Sequence, residues 1–157
     1  MEFSIGELTE ERAKQLCAWR YPGEYAVYDF LPWDIAMRQK WSITDPIVRE
    51  SDFRSVFDEK GNFIGFFRMS GSESGRVEIG LGLKPELCGL GLGKDFVKAV
   101  TRYALARHPD CLPYMEVRTF NLRAVKCYKS CGYIVVLRHN KIFPWGGGEF
   151  FLMEYHP

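Results

Sequence analysis

The chain has 157 residues, 46% of them hydrophobic and 26% charged, which suits one globular domain able to build its own core. Its formal net charge of +1 lacks the basic excess of nucleic-acid binders, so no nucleic-acid partner is expected. No run approaches the about 20 apolar residues of a membrane span, and the short polar start with five cysteines, an odd number, points to reduced thiols in a cytoplasmic setting.

The elements follow in chain order. Residues 3–5 read as a short first strand. Thr9 is a candidate N-cap, and Ala13, Leu16, Cys17 and Trp19 give the apolar stripe of a helix reaching about Trp19. Pro22-Gly23 interrupts regular structure, and a loop rich in aromatics follows. A second helical piece spans 34–40. Strands are expected at 52–59, 63–69 and 76–83, with turns at 60–62, where Gly61-Asn62 supplies positive φ, and at 71–75. After Lys84-Pro85 the period changes. Leu92, Phe96, Val97, Val100, Tyr103 and Ala104 recur at helical spacing to about Arg107, where His108-Pro109 stops the helix. Residues 112–119 form a strand. Asn121 caps a helix ending at Cys131, with Gly132 as its C′ residue. Strands at 133–138 and 149–155 finish the chain. Without repeats or linkers, this is a single domain over 1–157. Hairpins in the first half and crossovers in the second imply a mixed sheet with helices on both faces.

The segment 83–94 carries the chemistry. A strand feeds the glycines Gly89, Gly91 and Gly93, and these open a helix. First-turn N–H groups have no internal partners and sit at the positive end of the helix dipole, so such a turn suits phosphate. A Walker loop is excluded, because Cys88 stands where its first glycine belongs and Asp95 follows Lys94. The dinucleotide fingerprint is also excluded, because the spacing is GxGxG. A tight strand-to-helix joint with no ligand is the plain alternative. Cys127 and Cys131, four apart on the later helix, read as small core hydrophobes rather than zinc ligands.

Leu83-x-Pro85, the glycine turn ending Gly91-x-Gly93 and the amphipathic helix after it resemble the acetyl-CoA pyrophosphate loop of the GNAT N-acetyltransferase superfamily. Cys88 and Leu90 stand where that loop prefers Gln or Arg and often a basic residue. A second stretch strengthens the resemblance: Asn121, Ala124, Tyr128, Gly132 and Tyr133 match the family step for step.

The resemblance implies a GNAT fold: an α/β protein with a central mixed, mostly antiparallel sheet of about seven strands, splayed at the acyl-CoA site. It implies transfer of an acetyl group from acetyl-CoA to a primary amine, by direct attack in a ternary complex. Tyr128 becomes the general acid, since a phenol of pKa about 10 can protonate a leaving thiolate. Glu78 is a base candidate, with Glu24 and Asp29 as others. The cofactor is assigned to Leu81, Gly82, Leu83, Cys88, Gly89, Leu90, Gly91, Leu92, Gly93, Lys94, Asn121 and Tyr128, with Asn121 equally suited to capping its helix. Gly80 and Gly82, costly in a strand, suggest close backbone approach to the ligand. Tyr21, Glu24, Tyr25, Tyr28 and Asp29 are assigned to the acceptor, a small-molecule or peptide amine; rings that merely cap the core are the other reading. Phe143, Pro144 and Trp145 are expected to close the same pocket. A homodimer is compatible with the family. A non-catalytic CoA-binding regulatory module on the same fold is the alternative function, and it would need no acid at Tyr128.

Overall fold

The computed structural model describes residues 1–144 and 146–157, so Trp145 lies outside the described residues. The hydrogen-bonded strand order is β1-β2-β3-β4-β5-β7-β6, a seven-stranded mixed sheet. The chain divides into two compact units, Met1–Arg68 with Leu81–Leu92, and Met69–Gly80 with Gly93–Pro157.

The first unit contains β1 (Ser4–Glu7), α1 (Glu10–Cys17), α2 (Trp33–Arg38), α3 (Pro46–Asp52), β2 (Phe53–Phe57) and most of β3 (Phe63–Ser70). The three strands pair antiparallel. Thr9 caps α1 as expected, its hydroxyl accepting the Arg12 N–H at 3.3 Å. Sequence reading left α3 out, although its start signal is present. Asp45 accepts the N–H groups of Ile47 and Val48 at 2.9 and 3.3 Å, and Pro46 fills the first helical position, where its missing N–H costs nothing. The core gathers Leu8, Ala13, Leu16, Cys17, Ile43 and Phe53. Trp19, Phe30, Trp41, Phe63 and Phe66 pack on it, with Phe30 meeting Phe66 edge-on at 5.5 Å between ring centres.

The second unit holds the start of β4 (Arg76–Leu83), α4 (Gly93–Arg107), β5 (Leu112–Arg118), α5 (Leu122–Ser130), β6 (Tyr133–Phe143) and β7 (Gly146–Tyr155). β4 pairs parallel to β5, and β7 runs antiparallel to both β5 and β6. The last hairpin is longer than expected. Its strands run past Arg138 and begin before Glu149, because Gly146, Gly147 and Gly148, just ahead of the expected last strand, are ladder residues. A Cβ on Gly147 would stand 2.5 Å from the Lys141 carbonyl oxygen, so glycine lets the two backbones approach.

Tyr133 on β6 fixes which face the helices cover. Its hydroxyl lies 2.7 Å from Thr101 Oγ1 on α4, and both residues are buried. Alternation places Met115, Met153 and Val135, which are in register, on that same face. Glu78, Tyr114, Glu154 and Ile134, also in register, therefore occupy the opposite face.

Removing either partner of the Thr101–Tyr133 bond strands the other in the core. Thr101→Val and Tyr133→Phe should each cost about 1–3 kcal/mol, and the double variant clearly less than their sum. Urea unfolding of the four proteins measures this; strict additivity would show that the bond carries no coupling.

Candidate functional site

In the first unit, β4 ends at Leu83 and the chain turns through Pro85–Leu87. The Lys84 N–H donates to the Ile64 carbonyl at 2.8 Å, tying the start of the turn to β3. Gly89 and Gly91 take φ of 78° and 84°, conformations that side chains resist. Leu90 between them is exposed. The Cys88 thiol is aimed back at the Leu83 and Lys84 carbonyls, 3.9 and 3.7 Å away. What the turn can offer an anion is therefore main chain.

Tyr21 ties the aromatic loop to the same strand end. Its hydroxyl donates to the Leu83 carbonyl at 2.6 Å, and its own N–H is accepted by Asp29 at 2.8 Å. Burial pushes its phenol far above the ordinary range, with Cys88, Asp29 and Glu86 adding to the shift. Tyr21 and Asp29, both expected to receive the acceptor, are thus engaged with each other and with β4. Gly82 also differs from expectation. A Cβ there would stand 2.8 Å from the Phe66 ring and 3.3 Å from the Tyr21 hydroxyl, so close approach to these side chains explains the glycine. Gly80 is exposed with open space around it, as ligand approach would require. Glu24 is exposed, and Tyr25 and Tyr28 are half-buried.

In the second unit, the β4–β5 ladder has three rungs, Arg76 with Leu112, Val77 with Pro113 and Glu78 with Tyr114. Both strands continue beyond it, β4 to Leu83 and β5 to Arg118. Parallel strands that stop pairing while still extended leave main-chain groups that the ladder no longer satisfies. Glu78 and Tyr114 form its last rung. Burial first, and then the Glu78 carboxylate, push the Tyr114 phenol up; Arg76 works against this and Glu116 adds to it.

α5 stands close to the start of α4. A Cβ on Gly93 would meet Cys127 Sγ at 3.3 Å, and the Cys131 thiol donates to the Lys94 carbonyl at 3.5 Å. The smallest residue at the head of α4 therefore lets the helices approach. Burial lifts the Cys127 thiol to about 11, with Cys131 contributing. Asn121 caps α5, its side-chain oxygen accepting the Ala124 N–H at 3.1 Å. Tyr128 lies one helical turn before Gly132, its ring centre 6.3 Å from that of Tyr133. Lys94 is exposed at the first turn of α4.

The Acetyltransferase (GNAT) family profile matches residues 13–133. The chain belongs to this family. It is an acyl-CoA-dependent N-acyltransferase, and acetyl-CoA is the family's usual cosubstrate. Solved structures agree in fold. Mutant forms of the spermidine/spermine N-acetyltransferase SpeG from Vibrio cholerae align with a TM-score of 0.74 at 14% identity, covering 98% of this chain and 93% of theirs. A chimera of the Vibrio cholerae spermidine N-acetyltransferase and hSSAT gives 0.71 at 16%, covering 99% and 96%. No curated protein sequence matches. Among the described residues, no helix is long and apolar enough to cross a membrane.

Sequence reading missed Tyr114, Glu116, His139 and Lys141. The first two follow ordinary strand alternation, and the last two lie beyond Arg138, where the expected strand ended.

Tyr21→Phe leaves the Leu83 carbonyl without its strong donor and should lower stability by about 1–3 kcal/mol. The exposed Glu24→Gln should change it by no more than about 0.5 kcal/mol. Thermal unfolding of both variants is the check; equal melting temperatures would remove the structural role of the Tyr21 hydroxyl.

Proposed function

We propose that this chain, as a single GNAT domain over 1–157, transfers an acetyl group from acetyl-CoA to a primary amine by direct attack in a ternary complex. The observation that carries the reading is the early end of the β4–β5 ladder after Glu78 and Tyr114. The extended stretch 79–83 offers main-chain groups to a pantetheine arm, with Leu81 and Leu83 as the pairing residues. An amide-bearing arm can hydrogen-bond to such an edge as another strand would.

The residues present fit acetyl-CoA. The exposed turn 88–92, with its two positive-φ glycines, and the α4 amides at Gly93 and Lys94 suit a diphosphate. Acetyl-CoA supplies a thioester, and the rest of the chemistry falls to side chains. Tyr128 gives its proton to the departing thiolate. Glu78 takes the proton that the ammonium must lose before it can attack. Main-chain N–H groups of β4 stabilise the oxyanion that develops on the carbonyl carbon's oxygen. Asn121 supports α5, and so Tyr128, through its cap, and is the α5 capping residue assigned to the cofactor arm. The loop with Glu24, Tyr25 and Tyr28 borders the acceptor side, while Tyr21 and Asp29 hold it to Leu83.

Acetyl-CoA should raise the melting temperature where ATP and NAD do not. Initial velocities should give intersecting rather than parallel lines, as expected of direct attack without an acyl-enzyme. Tyr128→Phe should lower kcat by roughly 10²-fold or more and remove the alkaline limb of its pH profile, because the acid works only while protonated. Unchanged turnover in Tyr128→Phe across the pH range rejects that role, and absence of acetyl-CoA protection rejects the reading as a whole.

A further inference from the structure

The sheet face of the second unit opposite α4 has more chemistry than its fold requires. Tyr114, Glu116 and Arg118 alternate along β5 on the face opposite α4. The β5–β7 and β6–β7 registers bring His139 and Lys141 of β6 onto that same face. Glu116 is well shielded, with 16% of its side chain exposed, and His139 has 28%. His139 Nε2 stands 3.4 Å from Glu116 Oε2, and Lys141 Nζ stands 2.8 Å from the same oxygen.

Buried polar atoms in folded proteins are nearly all hydrogen-bonded. Among the described residues, the buried side-chain atoms lacking a hydrogen-bond partner are Arg76 Nε, Glu116 Oε2 and His139 Nε2. Arg76 lies over the Tyr114 ring, 4.2 Å from its centre, so all three atoms belong to the surroundings of one sheet face. The Lys141 contact is an ion pair and leaves that Glu116 oxygen without an aligned donor.

Lys141 is the informative group. It is a primary ammonium resting on a shielded carboxylate, the contact a cationic acceptor would make. From that same position Nζ also lies 5.5 Å from the Phe143 and Phe150 ring centres. Cation–π attraction can hold a lysine that leaves a carboxylate. Glu116 follows Tyr114 by one pleat, about 6.6–6.8 Å along the strand. Glu78 faces Tyr114 at the end of the ladder.

We propose that this face is the acceptor subsite, and that it selects an amine carrying a second, non-reacting cationic nitrogen. The reacting nitrogen lies at Glu78 and Tyr114. The second is taken by Glu116, beside His139, where it displaces Lys141 from the carboxylate while the Phe143 and Phe150 rings, already beside Nζ, remain in reach of it. This inference rests on the acetyltransferase reading above.

The test compares an n-alkylamine with the α,ω-diamine of matching length, followed by release of the CoA thiol. In the native protein, kcat/KM for the diamine should exceed that for the monoamine by roughly 10-fold or more, the scale of one charged contact. Glu116→Gln should abolish the preference, and Lys141→Met should lower the diamine KM by removing its internal competitor. Neither change should move the KM for acetyl-CoA. Equal use of the two amines by the native protein overturns the proposal. So does a preference that survives Glu116→Gln, or a diamine KM that rises in Lys141→Met. Acetyl-CoA protection without acetylation of either amine also overturns it, while loss of that protection is a failure of the acetyltransferase reading itself.

Discussion

The site depends on a ladder that stops. β4 and β5 pair through Glu78 and Tyr114 and then remain extended without further rungs between them. In a closed sheet those peptide groups would be satisfied and sealed. Here the last rung carries a carboxylate and a phenol. Backbone N–H and C=O groups cannot be left buried and unpaired, so a strand can stop pairing only where water or a ligand with matching amides can take over. Gly80, exposed with free space around it, stands two residues beyond Glu78 on that strand.

The turn after β4 is prepared in a different way. Family members commonly place a long polar side chain at its first position, and this chain places Cys88. A thiol cannot reach a diphosphate as an arginine can, and here it faces the carbonyls of Leu83 and Lys84. The Leu83 carbonyl is also held by Tyr21, and Lys84 is tied to Ile64. The start of the turn is thus held by the protein's own groups. In the proposed reading, main-chain donors that are already positioned lose little freedom when an anion binds.

Much of this was legible in the sequence, for identifiable reasons. β4 was read residue for residue because Gly75 and Pro85 punctuate it. α4 and α5 were legible because apolar spacing and the Asn121 cap agreed with each other. α3 was missed because only Asp45-Pro46 marks it, and a helix of seven residues has no room for a repeating stripe. The last hairpin was expected too short because three glycines in a row do not read as strand, whereas Gly147 lets Lys141 pass. The glycine turn and the Asn121–Tyr133 stretch were visible as patterns. The charged sheet face was not, since Glu116 and His139 are 23 positions apart in the chain and meet only through the register of three strands. The aromatic loop was half legible. Its composition suggested a ligand wall, but Phe30 and Trp41 serve the core and Tyr21 serves β4.

The resident ammonium on Glu116 follows from what a shielded carboxylate needs. Left alone in a shielded position its charge would be costly, and removing one partner of such a pair leaves that cost uncompensated. Lys141 removes that cost in the resting protein. A cationic substrate that replaces Lys141 keeps the carboxylate compensated, and the aromatic rings keep the lysine from paying full desolvation alone. A neutral guest offers no such exchange, because it would have to leave Lys141 where it is. The same pair therefore guards the charge when the face is empty and discriminates when it is filled. Replacing the pair with apolar residues could stabilise the fold; its retention on a face that also carries Glu78 and Tyr114 is consistent with a demand from binding rather than from folding.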